Sequence, residues 1–498
     1  MRYDADPILA TDQGAVRGLR QDNTVTFLNI PYAAAPVGAG RFAPPQPQPH
    51  EPWDGVRDAT VPGPNAPQSE RTLGTVDMSP YFGAGWSRGE DYLTVNVCKP
   101  AAPGKDLPVM VFVHGGGFVA GSTRSALYDG SAFARHGVVL VTLNYRLGIS
   151  GFLDLPGAPA NRGLLDVVAA LRWVRENIAA FGGDARNVTL FGQSAGATIV
   201  GGVLAMPQAA GLLRRAIVQS GSGTGAFTRQ QAGRVTRAAA QALGVEPHAD
   251  AFADIADEHL VEAAGHLAGI DLRTPTHFDP LVGLSPFSLV LDRQPATSVA
   301  AGLGADVDLL IGTTSEEGNL YLVPTGAHTT ATAADVDAAA IRSHPQPMRL
   351  IEAYRTARPC ASFGELRAAI LGDAAFGAGS RALADAHAAH PRSRTYRYEF
   401  AWRSQAVGGD LGAAHTMELP FVFDRTHLSA LHGPYGLLGP KRPPADLASR
   451  VHGAWVRFAR TGDPGWEAYT SERRTTMRID DTWNQIDDPR CQERQAWN

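Results

Sequence analysis

The chain has 498 residues, 44% hydrophobic and 19% charged, with a formal net charge of −5. That supplies apolar material for a large core, and so weak a charge gives no electrostatic footing for nucleic acid or an anionic membrane. No apolar run reaches about 18 residues, so no membrane-crossing helix is expected.

The opening stretch MRYDADPILATDQG lacks a basic start followed by an apolar core, so no secretory leader is expected. PPQPQPHEP (Pro44–Pro52) reads as a short rigid surface loop. VMVFV (Val109–Val113) and VVLVTLNY (Val138–Tyr145) are nearly continuous apolar runs, the pattern of strands buried on both faces. From Leu164 to Gly183, apolar Leu165, Val168, Leu171, Val174 and Ile178 recur at helical spacing, and Gly182–Gly183 stop the helix. Three more runs suit strands: VTLF (Val188–Phe191), AIVQ (Ala216–Gln219) and VDLLIG (Val307–Gly312). Ala331–Ala340 and Ala382–His390 read as solvated Ala-rich helices. RTYRYEFAW (Arg394–Trp402) alternates, with Tyr396, Tyr398, Phe400 and Trp402 on one side. Strands alternating with helices predict βαβ units and a mostly parallel central sheet, flanked by helices on both faces.

In such sheets function collects at the carboxyl ends of strands. HGGGF (His114–Phe118) follows the first run, and its glycines let a ligand approach bare N–H groups. GQSAG follows VTLF and precedes a helix of small residues from Ala197 to Met206. A strand, a G-x-S-x-G turn and a helix together hold a serine in a strained, projecting position, here Ser194. The helix N-terminus behind it favours a developing oxyanion. TTSEEGN (Thr313–Asn319) offers Glu316 and Glu317, of which only one can face the site. His415, among small residues, follows the alternating strand. Serine, acid and histidine thus come in the order of an α/β-hydrolase, each after a strand. GSGTG (Gly221–Gly225) lacks the full dinucleotide pattern, and no P-loop exists. His387 and His390 lie three apart on an Ala-rich helix without H-E-x-x-H, so no metal site is expected.

These stretches resemble the type-B carboxylesterase family, which includes carboxylesterases, para-nitrobenzyl esterases and cholinesterases. FLNIPYAAAPVGAGRF, EDYLTVNV, PVMVFVHGGGF, NYRLGISGFL, RNVTLFGQSAGA, DLLIGTTSEEGN, GAAHTMELPFVF and WVRFARTGDPGW carry the resemblance over nearly the whole chain. It implies one α/β-hydrolase domain over residues 1–498, with loop and helical insertions above an active-site gorge. It implies a serine esterase with Ser194 as nucleophile, His415 as base and Glu317, rather than Glu316, as acid. Gly116, Gly117 and Ala195 match the oxyanion-hole donors, and Ser220 a supporting polar position. Arg41 with Glu90, and Arg146 with Asp166, match structural ion pairs.

Two departures matter. Many members read GESAG, but Gln193 stands here, so a cholinesterase-like preference for cations is not expected. Tyr92 and Ala66 replace both halves of a disulfide found in secreted relatives. With Cys98, Cys360 and Cys491 odd in number and far apart, this suits a cytoplasmic protein with free thiols.

The resemblance implies a small-molecule ester substrate, no metal or organic cofactor, and no nucleic-acid or membrane partner. Activity is expected to rise through roughly pH 6 to 7 as a catalytic histidine loses its proton. The same triad also suits an amidase or thioesterase, and a non-catalytic adhesion relative would lack the nucleophile. Pocket walls are expected from Thr72–Ser87, with Phe82 and Trp86, and from Phe278–Leu289, the aromatics there packing rather than lining the site. Acyl preference and oligomeric state are not legible.

Overall fold

The structure is a computed structural model that describes residues 6–48 and 53–497. The first residues of the opening stretch and the end of the Pro44–Pro52 loop lie outside the described part.

Among the described residues, eleven strands form the central sheet. Seven run parallel side by side, in the spatial order Val139–Leu143, Leu107–Val113, Gly183–Gln193, Arg215–Gln219, Asp308–Thr314, Thr395–Phe400 and Thr476–Ile479. Antiparallel strands finish both edges: Thr94–Pro100, Thr24–Pro31 and Leu19–Gln21 on one side, Asn484–Ile486 on the other. The expected mostly parallel sheet is present, and its N-terminal edge is an antiparallel extension.

Side chains alternate between two cores. Val109, Val111 and Val113 pack on one face with Leu164, Val168 and Leu171 of the Arg162–Asn177 helix. Met110 and Phe112 pack on the other with Val451, Trp455 and Phe458 of the Leu447–Thr461 helix. Burial on both faces explains why these strands read as continuous apolar runs. The first helix begins at Arg162 and gives way to a 3-10 turn at Ile178–Phe181 before Gly182 stops it. Buried Arg162 donates to the carbonyls of Ile149, Ser150, Leu153 and Pro159, and burial pulls its pKa down to about 9.

Three readings need correction. The second Ala-rich segment forms the Ala378–Ala388 helix, which is not solvated: Leu383, Ala384 and His387 are buried. His387 lies 2.7 Å from Thr395 Oγ1 and 2.8 Å from the Val307 carbonyl, so it ties this helix to two strands. The Thr395–Phe400 strand buries both faces, because the Ala-rich helix covers the side carrying Arg397. Arg41 does not pair with Glu90. Its guanidinium is taken by Asp257 and by the carbonyls of Ala253 and Ile255, and Glu90 is exposed. The other ion pair stands: Arg146 meets Asp166 at 2.6 Å, both side chains fully buried. No described helix is long and apolar enough to cross a membrane.

Candidate active site

Register aligns the strand ends. Val113 pairs with Gly192, Gln193 with Gln219, Gln219 with Gly312 and Thr314 with Phe400. The loops that leave these strands therefore meet one another above one edge of the sheet.

Ser194 sits between the Gly183–Gln193 strand and the Ala195–Leu204 helix with φ 59° and ψ −123°. L-residues seldom adopt such a backbone, and here the flanking glycines make it possible. A Cβ on Gly196 would lie 2.1 Å from the Val113 carbonyl oxygen, and one on Gly192 would lie 2.7 Å from the Gly196 carbonyl carbon. The Ser194 N–H donates to Gln219 at 2.9 Å, leaving its side chain at the pocket wall.

HGGGF bends sharply, with φ 112° at Gly116 and 64° at Gly117. The Gly116 carbonyl accepts from Arg71 Nη1 at 2.9 Å and from the N–H groups of Val119 and Ala120 at 3.2 Å. Ser285 Oγ donates to the Gly117 carbonyl at 2.7 Å. With both carbonyls tied back, the N–H groups of Gly116 and Gly117, and that of Ala195, donate to nothing among the described residues.

Glu317 and His415 are buried and joined. His415 Nδ1 donates to Glu317 Oε2 at 2.5 Å. The other carboxylate oxygen accepts from Ser220 Oγ at 2.6 Å and from the Thr314 N–H at 2.7 Å. Ser220 is left-handed, φ 53°, at the end of its strand. Glu316 turns away to Arg403 and to the Ala413 N–H. The two neighbouring carboxylates have separate partners.

His415 Nε2 lies 3.2 Å from the amide nitrogen of Gln193. The Tyr81 hydroxyl donates to the Gln193 oxygen and so turns that amide nitrogen towards the imidazole. Ser194 Oγ makes no hydrogen bond among the described residues. Such contacts are commonly loose before substrate arrives. Gln193 is fully buried and does not line the pocket, so this position reaches a ligand through His415 rather than directly.

Sequence reasoning missed four neighbours. Phe376 stacks on His415 with centroids 4.3 Å apart and planes at 17°, and Tyr321 lies 5.7 Å away. Glu418 is buried three residues beyond His415 and accepts from Gln219 Nε2 at 3.1 Å. Burial, with the charge of Glu317 nearby, pushes its pKa up to about 8. Arg71 lines the pocket beside Gly116 and Gly117. Phe82 lines the pocket as well, whereas Trp86 does not and instead carries the Arg88 guanidinium 4.3 Å above its ring. Of Phe278–Leu289, Leu281, Leu284 and Ser285 reach the pocket and Phe278 points outward.

The sequence model described as the Carboxylesterase family matches residues 5–497. A para-nitrobenzyl esterase of Bacillus subtilis is 35% identical over 98% of this chain and 98% of its own length. A phenmedipham hydrolase of Pseudarthrobacter oxydans is 34% identical over 92% of this chain and 90% of its own length. Among solved structures, a carboxylesterase of Geobacillus stearothermophilus superposes with a TM-score of 0.84 at 36% identity, covering 99% of this chain and all of that one.

Proposed function

Because the chain belongs to the carboxylesterase family and is a carboxylic ester hydrolase, we propose that Ser194, His415 and Glu317 are its catalytic triad. Ser194 Oγ attacks the ester carbonyl of a small-molecule substrate while His415 Nε2 takes the proton, once the Gln193 amide yields that lone pair. Glu317 orients the imidazole and stabilises it when charged. The N–H groups of Gly116, Gly117 and Ala195 hold the tetrahedral oxyanion. Removing one such donor typically costs about 3 kcal/mol of barrier. His415 then returns that proton to the alkoxy oxygen as the C–O bond breaks, so the alcohol departs and an acyl-enzyme is left. Water then attacks it, with His415 again taking the proton, and His415 gives that proton to Ser194 Oγ as the carboxylic acid leaves. The whole described chain acts as one catalytic domain.

The observation that carries this reading is a strained serine flanked by three N–H donors with no other partner among the described residues. We place the protein in the cytoplasm, a reading supported by free Cys98, Cys360 and Cys491.

The test is hydrolysis of p-nitrophenyl esters by the wild type and by Ser194→Ala. The variant is expected to fold normally and to lose turnover by about 10⁴-fold or more. Equal turnover in both would assign the nucleophile elsewhere.

A further inference from the structure

Arg71 stands in the pocket wall with one protein partner, the Gly116 carbonyl at 2.9 Å. Its guanidinium lies 5.6 Å from the Phe82 ring centroid. It forms no ion pair among the described residues. The groups that bear on its charge are burial, which lowers its pKa, and the hydroxyls of Tyr321 and Tyr81. Arginine keeps its proton across the working pH range, so this is a positive charge with no counter-charge. Its remaining N–H groups make no bond among the described residues and stay open to the space around them. A partly desolvated cation costs free energy unless an anion meets it, and a guanidinium suits a carboxylate.

Two cavities meet at this side chain. The space at Ser194 is tight, about 50 Å³. The neighbouring cavity, about 220 Å³, shares Arg71 and Leu284 with it and runs to Leu260 and Ala264. Its one carboxylate, Asp257, is already held by Arg41. A ligand extending from Ser194 into the larger cavity passes Arg71.

We propose that Arg71 is a specificity-determining residue that selects esters bearing a free carboxylate, such as the half-esters of dicarboxylic acids. The bond to Gly116 holds the guanidinium in place, and its open N–H groups take the substrate carboxylate. This rests on Ser194 being the nucleophile.

The test compares 4-nitrophenyl hydrogen glutarate with 4-nitrophenyl valerate, and a 4-carboxyphenyl ester with its phenyl counterpart, in the wild type, Arg71→Met and Arg71→Lys. In the wild type, kcat/KM for the anionic member of at least one pair should exceed that for the neutral member. Arg71→Met should cut that ratio by about ten- to a hundredfold, the range for a charged hydrogen bond, and Arg71→Lys should keep part of it. Neutral preference in both wild-type pairs would overturn the proposal, and this needs no variant to fold. An equal loss on both members in Arg71→Met would also overturn it, leaving Arg71 as a brace for the glycine loop. Absence of turnover of all four esters by the folded wild type would instead count against the triad reading.

Discussion

The ring of Phe376 lies flat on the imidazole of His415, 4.3 Å between centroids and 17° from parallel. It is placed there by a π-turn at Asp373–Gly377, inside an otherwise α-helical run. Such turns insert a residue and re-aim side chains, often at functional sites. Asp373 anchors the turn by accepting from Arg381 at 3.0 Å and Arg490 at 2.7 Å, and from Tyr354.

Replacing Phe376 should therefore separate packing from orientation. Phe376→Leu keeps most of the apolar volume but loses the flat stack. Its kcat should fall about fivefold, with little change in melting temperature. Phe376→Ala should lose about 3 kcal/mol of stability as well. Steady-state kinetics beside thermal melts decide it, and an unchanged kcat in both variants would mean that Glu317 alone fixes the imidazole.

Ser220 supplies one of two hydrogen bonds on the oxygen of Glu317 that faces away from His415. Ser220→Ala leaves the Thr314 N–H in place, so the carboxylate stays satisfied but is less fixed. We expect kcat to drop roughly three- to tenfold with KM unchanged, the cost of one charge-assisted bond reduced by the bond that remains. A rise in KM alone would mean that Ser220 shapes the pocket instead.

Glu418 gives a pH prediction. Its folded-state pKa is raised, to about 8, so folding favours the protonated acid. The unfolded carboxyl titrates at about 4.3. Between those values the native state holds a proton that the unfolded chain has lost, so this group's contribution falls as pH rises. Glu418→Gln removes the titration while keeping a group that can accept from Gln219. The melting temperature of the variant, relative to the wild type, should climb between about pH 5 and about pH 9. A pH-independent difference would place the Glu418 titration outside that window.

Much of the site was legible because its parts obey local rules. Two glycines around Ser194 announce a backbone that only close approach explains, and the structure shows both approaches. The glycine triplet and the strand runs were equally plain. The choice between Glu316 and Glu317 was not, because Arg403 and Ala413, far along the chain, settle where Glu316 points. Phe376 was invisible for a similar reason: a π-turn leaves no periodic mark, and one of the two ion pairs that hold it comes from Arg490, 117 residues away. Arg71 escaped notice as a lone cation in a loop. The second Ala-rich helix read as solvated because alanine signals helix and says little about which face a neighbour covers.

The candidate residues from Gly116 to His415 span more than half of the chain, yet each hangs from a strand that borders the next. A partly assembled sheet therefore has no reduced version of the site, since each missing strand removes a different component. During refolding, ester turnover should return only after the strands from Leu107–Val113 to Thr395–Phe400 have paired. Activity thus reports the last long-range contacts to form, whereas helix content, which is local, recovers earlier.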